Sequence, residues 1–277
     1  MDIATIAGLA GALMIVVVVL ILDGGSPAEL ISHPSAILLT MGGSIAAVTM
    51  SSPLKAVILL PKLVIKAFLG TKFDMEGSIE LMARMADKAR REGLLALEDE
   101  SKKITDAFLK KGIMLVVDGV DPAQVKAILS KDIDSMRERH RMGYGMFAAA
   151  GGFSPTFGII GTVMGLISVL KQLDDPNKLA KSIAAAFLAT LWGLLSANLV
   201  FLPIGSKLKS KSEEEVAFRH MLMEGILSIQ AGENPRILRE KLNTYLSPKE
   251  REKAKEQGEK RASAPGGQQA QNQAGAQ

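Results

Sequence analysis

MFAAAGGFSPTFGIIGTVMGLISVL, Met146 to Leu170, is the stretch that decides the fold. It is long enough to cross a bilayer and holds no Asp, Glu, Lys, Arg or His. It does carry Ser154, Pro155, Thr156 and Thr162, with Gly158, Gly161 and Gly165 close by. A span that only anchored would need none of these. A proline inside a membrane helix frees backbone groups, which in hydrocarbon must be satisfied by neighbouring helices, hydroxyls or water. This helix is therefore expected to lie against other protein or a wet pathway rather than against lipid on all sides.

The rest of the chain supports a membrane protein. Mean hydropathy is +0.21, and apolar residues are bunched rather than periodic. Four spans are predicted. Ile3 to Leu22 contains MIVVVVLIL; Asp2 is the only charge before it, so it reads as a retained helix rather than a cleaved signal. After a polar loop, Asp23 to His33, a second span covers about Ser35 to Ser51. The third is Met146 to Leu170, followed by a short turn from Leu173 to Lys178. The fourth is about Ser182 to Gly205, again uncharged. In it Ala185, Ala189, Gly193 and Ala197 line one helix face, which permits close helix contact.

Between spans two and three, PLKAVILLPKLVIKAFLG suits a helix leaving the membrane along its surface. Gly70 to Gly145 then holds 14 Lys/Arg and 14 Asp/Glu, with apolar residues at helical spacing. Asp121 is placed to cap a helix opening at Pro122. The fold class is an all-α integral membrane protein: four transmembrane helices with a helical cytoplasmic insertion between spans two and three. The expected divisions are 1–52 (spans one and two), 53–145 (cytoplasmic helical domain), 146–205 (spans three and four), 206–247 (cytoplasmic helical tail) and 248–277, a disordered Gln/Ala/Gly-rich end. The first loop has no Lys or Arg, whereas the segments after spans two and four have many, Lys207, Lys209 and Lys211 among them. Both termini and the insertion are thus expected in the cytoplasm. Lys171, Lys178 and Lys181 between spans three and four run mildly against this.

Several chemistries are excluded. There is no cysteine, so no disulfide, thiolate nucleophile or Cys-based zinc site. His33, His140 and His220 form no metal-ligand spacing. Net charge is +4 with few aromatics, which gives no nucleic-acid footprint. GIIGTVMG lies inside a span, so it is no nucleotide loop. No enzyme, metal or cofactor signature is found. Nor do the spans contain an ionisable group to carry an ion. Either the chain is no ion path, a passive scaffold included, or it supplies the wall and a partner supplies the carboxylate. The charged run ADKARREGLLALEDESKK offers local pairs at i,i+4: Asp87 with Arg91, Lys88 with Glu92, Glu98 with Lys102. It is either a solvated face or a docking surface.

Six segments in order resemble the MotA family of flagellar stator subunits. They are RREGLLALE (Arg90–Glu98), AFLKKGIMLVVDG (Ala107–Gly119), ERHRMG (Glu138–Gly143), SPTFGIIGTVMGLI in the third span, AAAFLATLWGLLSANLVFLPI in the fourth, and MEGILSIQAGENP (Met223–Pro235). The resemblance covers nearly the whole chain to about Pro248. It implies a multi-pass protein of the bacterial inner membrane, five copies of which surround a dimer of MotB, the subunit that brings the ion-binding aspartate. It implies that Pro155 and Pro203 face the channel and couple ion binding to movement. Thr162 and Thr190 match hydroxyls lining the path. Arg90 and Glu98 match the charged pair that engages the rotor protein FliG, with Arg91 and Asp99 as neighbours. Sodium-type members carry two threonines where this chain has Ala189-Thr190, which favours the proton. The superfamily's ExbB/TolQ branch, which energises envelope transport, is the alternative; its members typically have three spans.

Overall fold

Without period-two alternation anywhere in the sequence, the chain has only helices with which to satisfy its backbone. The computed structural model describes residues 3–70, 73–171 and 176–252, and no strand occurs among them. Most of the turn expected at Leu173 to Lys178, and the C-terminal end beyond 252, lie outside the described residues. Four helices are long and apolar enough to cross a membrane. The chain is a multi-pass membrane protein. It divides into two units, Met1–Thr71 with Arg137–Glu213, and Lys72–Met136 with Glu214–Gln277.

The first unit holds the spans. The first is the helix Ile3–Leu22. None of its apolar window is buried, since lipid solvates Leu or Val as well as protein does. The second runs from Pro34–Ile37 through a π-helical stretch, Leu38–Gly42, into Gly43–Ser51. Pro53 ends that course, and an amphipathic surface helix follows, Leu60–Phe68, with Pro61 in its first turn. The third span belongs to a helix that starts well before the apolar stretch, Pro122–Leu170, with Pro155 inside it. Asp121 caps its start as expected, accepting from the Ala123 N–H at 2.9 Å. The fourth runs Pro176–Leu195, then a second π stretch, Ser196–Phe201, then Leu202–Gln230. Val48, Ala67, Met146, Phe147, Phe201 and Leu208 form this unit's core.

The second unit is a small helical domain with its own core, in which Met82, Leu97, Ile113, Leu129, Met221 and Ile226 are fully buried. Its helix Met75–Glu92 begins where Asp74 accepts from the Gly77 N–H at 2.9 Å. It ends at Gly93, whose φ of +88° suits only glycine. Asp106 caps the helix Ala107–Val117 in the same way, accepting from Leu109 N–H. Asp106 also takes two bonds from Arg219, both 2.7 Å, whose guanidinium lies over the rings of Phe108 and Phe218. Asn234 and Pro235 start the last helix of the unit, Pro235–Leu242.

Candidate functional site

The third and fourth spans meet along a seam of small and hydroxyl residues. A Cβ built on Gly193 would stand 2.9 Å from the Gly158 Cα and from the Ser154 carbonyl oxygen, so the two backbones touch there. To one side Gly161 meets Ala189, Thr162 bonds Thr190, and Gly165 meets Ala186. To the other, Ser154 bonds Ser196 and Gly151 packs on Leu202. Numbers rise on one helix as they fall on the other, which is an antiparallel register. Such close approach is available only to residues with little or no side chain, and packing plus hydrogen bonds then hold membrane helices together.

The hydroxyls are arranged in two clasps. Ser196 Oγ lies 2.5 Å from the Trp192 carbonyl, which takes its only proton. Ser154 therefore donates to Ser196, at 2.5 Å. Both are buried. Thr162 Oγ1 reaches the carbonyls of Gly158 and Ala186, each at 3.1 Å. Its proton is engaged there, so Thr190 donates to it and keeps its own lone pairs. Both threonines are half-buried. Trp192 ties the seam to the loop between spans one and two, its indole N–H donating to the Leu30 carbonyl at 2.7 Å.

Two prolines flank the seam. Pro155 cannot donate to the carbonyl of Gly151, four residues earlier. Gly151 is the residue packed on Leu202, so the turn that Pro155 loosens lies beside Pro203. Pro203 is exposed, and immediately before it the fourth span is π-helical, Ser196–Phe201. There the Leu202 N–H bonds Ala197, five residues back. The Asn198 amide covers the Leu194 carbonyl at 2.9 Å. Isolated π turns of this kind absorb one extra residue and recur at functional positions.

In the second unit Arg90 ends the helix Met75–Glu92, and Glu98 opens the helix Leu97–Lys103 after the Gly93 turn. Both are exposed. Arg90 makes no ion pair among the described residues. Glu98 lies 3.8 Å from Lys102, and Asp99 bonds the same lysine at 2.9 Å. Arg91 pairs with Asp87 as expected. Lys88 does not take Glu92: it reaches across to Glu100 at 3.1 Å, and Lys103 shares that carboxylate. Hydrogen bonds from both lysines hold the Glu100 carboxyl below its ordinary range, and the same partner raises Lys88.

Residues 100–221 match the MotA/TolQ/ExbB proton channel family. Motility protein A of Bacillus subtilis is 38% identical over 94% of this chain and 96% of its own. That of Borreliella burgdorferi is 41% identical over 78% of this chain and 84% of its own. The chain belongs to the MotA family. Among solved structures, the flagellar MotAB stator complex from Bacillus subtilis superposes with a TM-score of 0.84 at 36% identity, covering 90% of this chain and 97% of that one.

In this MotA-family chain Thr162, Thr190 and Ala189 meet in one seam, and Pro155 belongs to its next turn. Pro203 lies beyond the π stretch, on a surface shared with the first span. Ala189 is buried against Gly161. Arg90 and Glu98 do not bond to each other. Sequence reasoning missed the Ser154–Ser196 clasp and the Gly158–Gly193 contact. The signal for both was present, since Ser154, Gly158 and Gly161 fall on one face of the third span opposite the small face of the fourth. Lys211 was read as a flank charge. It is 8% exposed, and its ammonium donates to the carbonyls of Lys66 (2.8 Å), Ala67 (2.9 Å) and Leu69. No sequence pattern announces that.

Proposed function

We propose that the chain is the torque-generating subunit of a flagellar stator, in which several copies, five by family resemblance, surround a single-span MotB-type partner. The observation that carries this is a closely packed third–fourth span seam with no ionisable residue in either span. Such a wall needs an acid from elsewhere, and the partner's transmembrane aspartate supplies it. The likeness to a solved flagellar stator along nearly the whole chain supports the same assembly.

The chemistry is protonation rather than bond making. Neutralising a carboxylate beside Pro155 and Thr190 removes a charge from hydrocarbon and changes which helix packing is preferred. One charge crossing 100 mV releases about 2.3 kcal/mol. That suffices to shift a seam between two packings but not to unfold it. Pro155 and Pro203, each removing a backbone donor, make the adjoining turns the deformable ones. Thr162 and Thr190 present hydroxyl oxygen to the path, and Ala189 in place of a second threonine favours the proton. Arg90 and Glu98 meet opposite charges on the rotor protein FliG. The chain sits in the bacterial inner membrane with both termini, the 53–145 domain and the 206–247 tail in the cytoplasm, as the lysine distribution favours.

Pro155→Leu tests the reading. The variant complex should assemble in normal amount and fail to drive swimming. Full motility with Pro155→Leu would refute the coupling role. Swimming speed should respond to a protonophore and not to sodium. Arg90→Glu should slow swimming and recover with a reversed charge on FliG; no loss even with Glu98 reversed as well would make this face mere solvated surface.

A further inference from the structure

The surface helix Leu60–Phe68 carries two stripes of the same spacing. Leu60, Leu63, Val64 and Ala67, at i, i+3, i+4 and i+7, pack into the core of the membrane unit. Lys62, Ile65, Lys66 and the capping Leu69 repeat that spacing on the outside. Ile65 is 59% exposed and Leu69 54%. Lys55 in the short helix Leu54–Val57, and Ile58 at its end, are exposed as well. Large aliphatics make this outer face unsuited to water, and lysines make it unsuited to hydrocarbon. Lys55, Lys62 and Lys66 make no ion pair among the described residues. From Leu30 to Phe73 the sequence holds no Asp or Glu at all. Lys211 pins the end of the helix by three carbonyls, so the outer face is held in place.

We propose that this outer face selects anionic phospholipid from the membrane surface, with head-group phosphates at Lys55, Lys62 and Lys66 and acyl chains against Ile58, Ile65 and Leu69. A lysine stem lies along apolar surface while its ammonium reaches the phosphates. An anionic head group brings no ammonium of its own to repel it, and each lysine near such a surface favours it about fivefold. Charge argues against a second copy as the occupant. The described acids of the membrane unit are Asp23, Glu29, Glu138 and Glu213. The first two precede the second span and the lysines follow it, so they belong to opposite membrane faces. Glu138 and Glu213 are engaged by Arg141 and Lys209. The inference stands apart from the stator reading, since it requires only that the chain span a membrane.

The test reads the local lipid composition. The chain has no cysteine, so Ile65→Cys gives it a single site for a fluorophore. The full-length chain, assembled with its single-span partner freed of any cysteine, is labelled there. It is placed in equimolar phosphatidylglycerol and phosphatidylcholine, with bromine quenchers on the acyl chains of one lipid or the other. Quenching should report a local excess of phosphatidylglycerol of about fivefold or more. Replacing Lys55, Lys62 and Lys66 together by glutamine should bring the two lipids to parity, and replacing them by arginine should keep the excess. With the lysines in place the excess should fall as ionic strength rises. Should the glutamine variant fail to assemble, this salt series decides alone. Parity in the lysine-bearing complex, an excess that survives the glutamines, or an excess indifferent to salt would each overturn the proposal. So would a label that neither lipid quenches and a position 65 that cross-links between copies, which would show the face covered by a second subunit.

Discussion

Replacing Lys211 with methionine should release the surface helix Leu60–Phe68 from the helix that continues the fourth span. Methionine keeps the length and apolar bulk of the lysine stem but removes the ammonium. Three carbonyls, those of Lys66, Ala67 and Leu69, then lose a charged donor. They belong to the C-terminal turn, whose oxygens have no donor within the helix and carry the negative end of its dipole. Each buried acceptor left bare costs about 1–3 kcal/mol, and burying the ammonium itself offsets part of that. A net loss of about 3 kcal/mol is reasonable, equivalent to roughly a hundredfold in an opening equilibrium. Hydrogen exchange of the purified complex, followed on peptides covering 60–69, reads that quantity directly. Exchange should quicken by about two orders of magnitude there, while the helix Met75–Glu92 keeps its protection. Unchanged exchange over 60–69 would refute the argument, and so would equal acceleration in both units.

Other perturbations follow from the seam and the second unit. Gly193→Ala places a methyl 2.9 Å from the Gly158 backbone, so the spans must separate, at a cost of about 1–3 kcal/mol read as lower thermal stability of the complex. Ser154→Ala and Ser196→Ala should be coupled by about 0.6 kcal/mol in a double-mutant cycle, as membrane hydrogen bonds average. Arg219→Ala leaves Asp106 half-buried without the guanidinium nitrogen that meets both its oxygens and should cost about 3 kcal/mol in denaturant unfolding. Glu100 has a folded pKa below its unfolded one, so its contribution is complete above the ordinary glutamate range and is lost as pH falls through the lowered value. Glu100→Gln should accordingly lower stability at neutral pH, flatten the acid side of the stability–pH curve and converge with the unaltered protein at acid pH.

The spans were legible because hydrocarbon imposes one requirement, about twenty apolar residues with an internally bonded backbone, and composition reveals it. Caps were legible for a similar reason: Asp121-Pro122 has a local mechanism. What failed was whatever depends on a partner far along the chain. Lys88 chose Glu100 over Glu92 because the Gly93 turn folds the next helix back within reach. Lys211 was counted as a topology marker, yet carbonyls 142 to 145 positions away absorb it. The seam lay between these extremes. Its small residues were visible on each helix, but the register that joins Ser154 to Ser196 is a tertiary choice.

The π stretch at Ser196–Phe201 alters how the fourth span must be counted. One residue more than the α-helical number fits into that turn, so everything after it is rotated by about 100° against an unbroken helix. A helical wheel drawn from Thr190 through Pro203 sets the proline on the wrong face. Deleting one residue between 197 and 201 would restore simple helical counting and leave Pro203 and Lys207 on the surfaces they now occupy. Deletion at this place is therefore a milder injury than deletion elsewhere in the span, where every later residue would turn by about 100°.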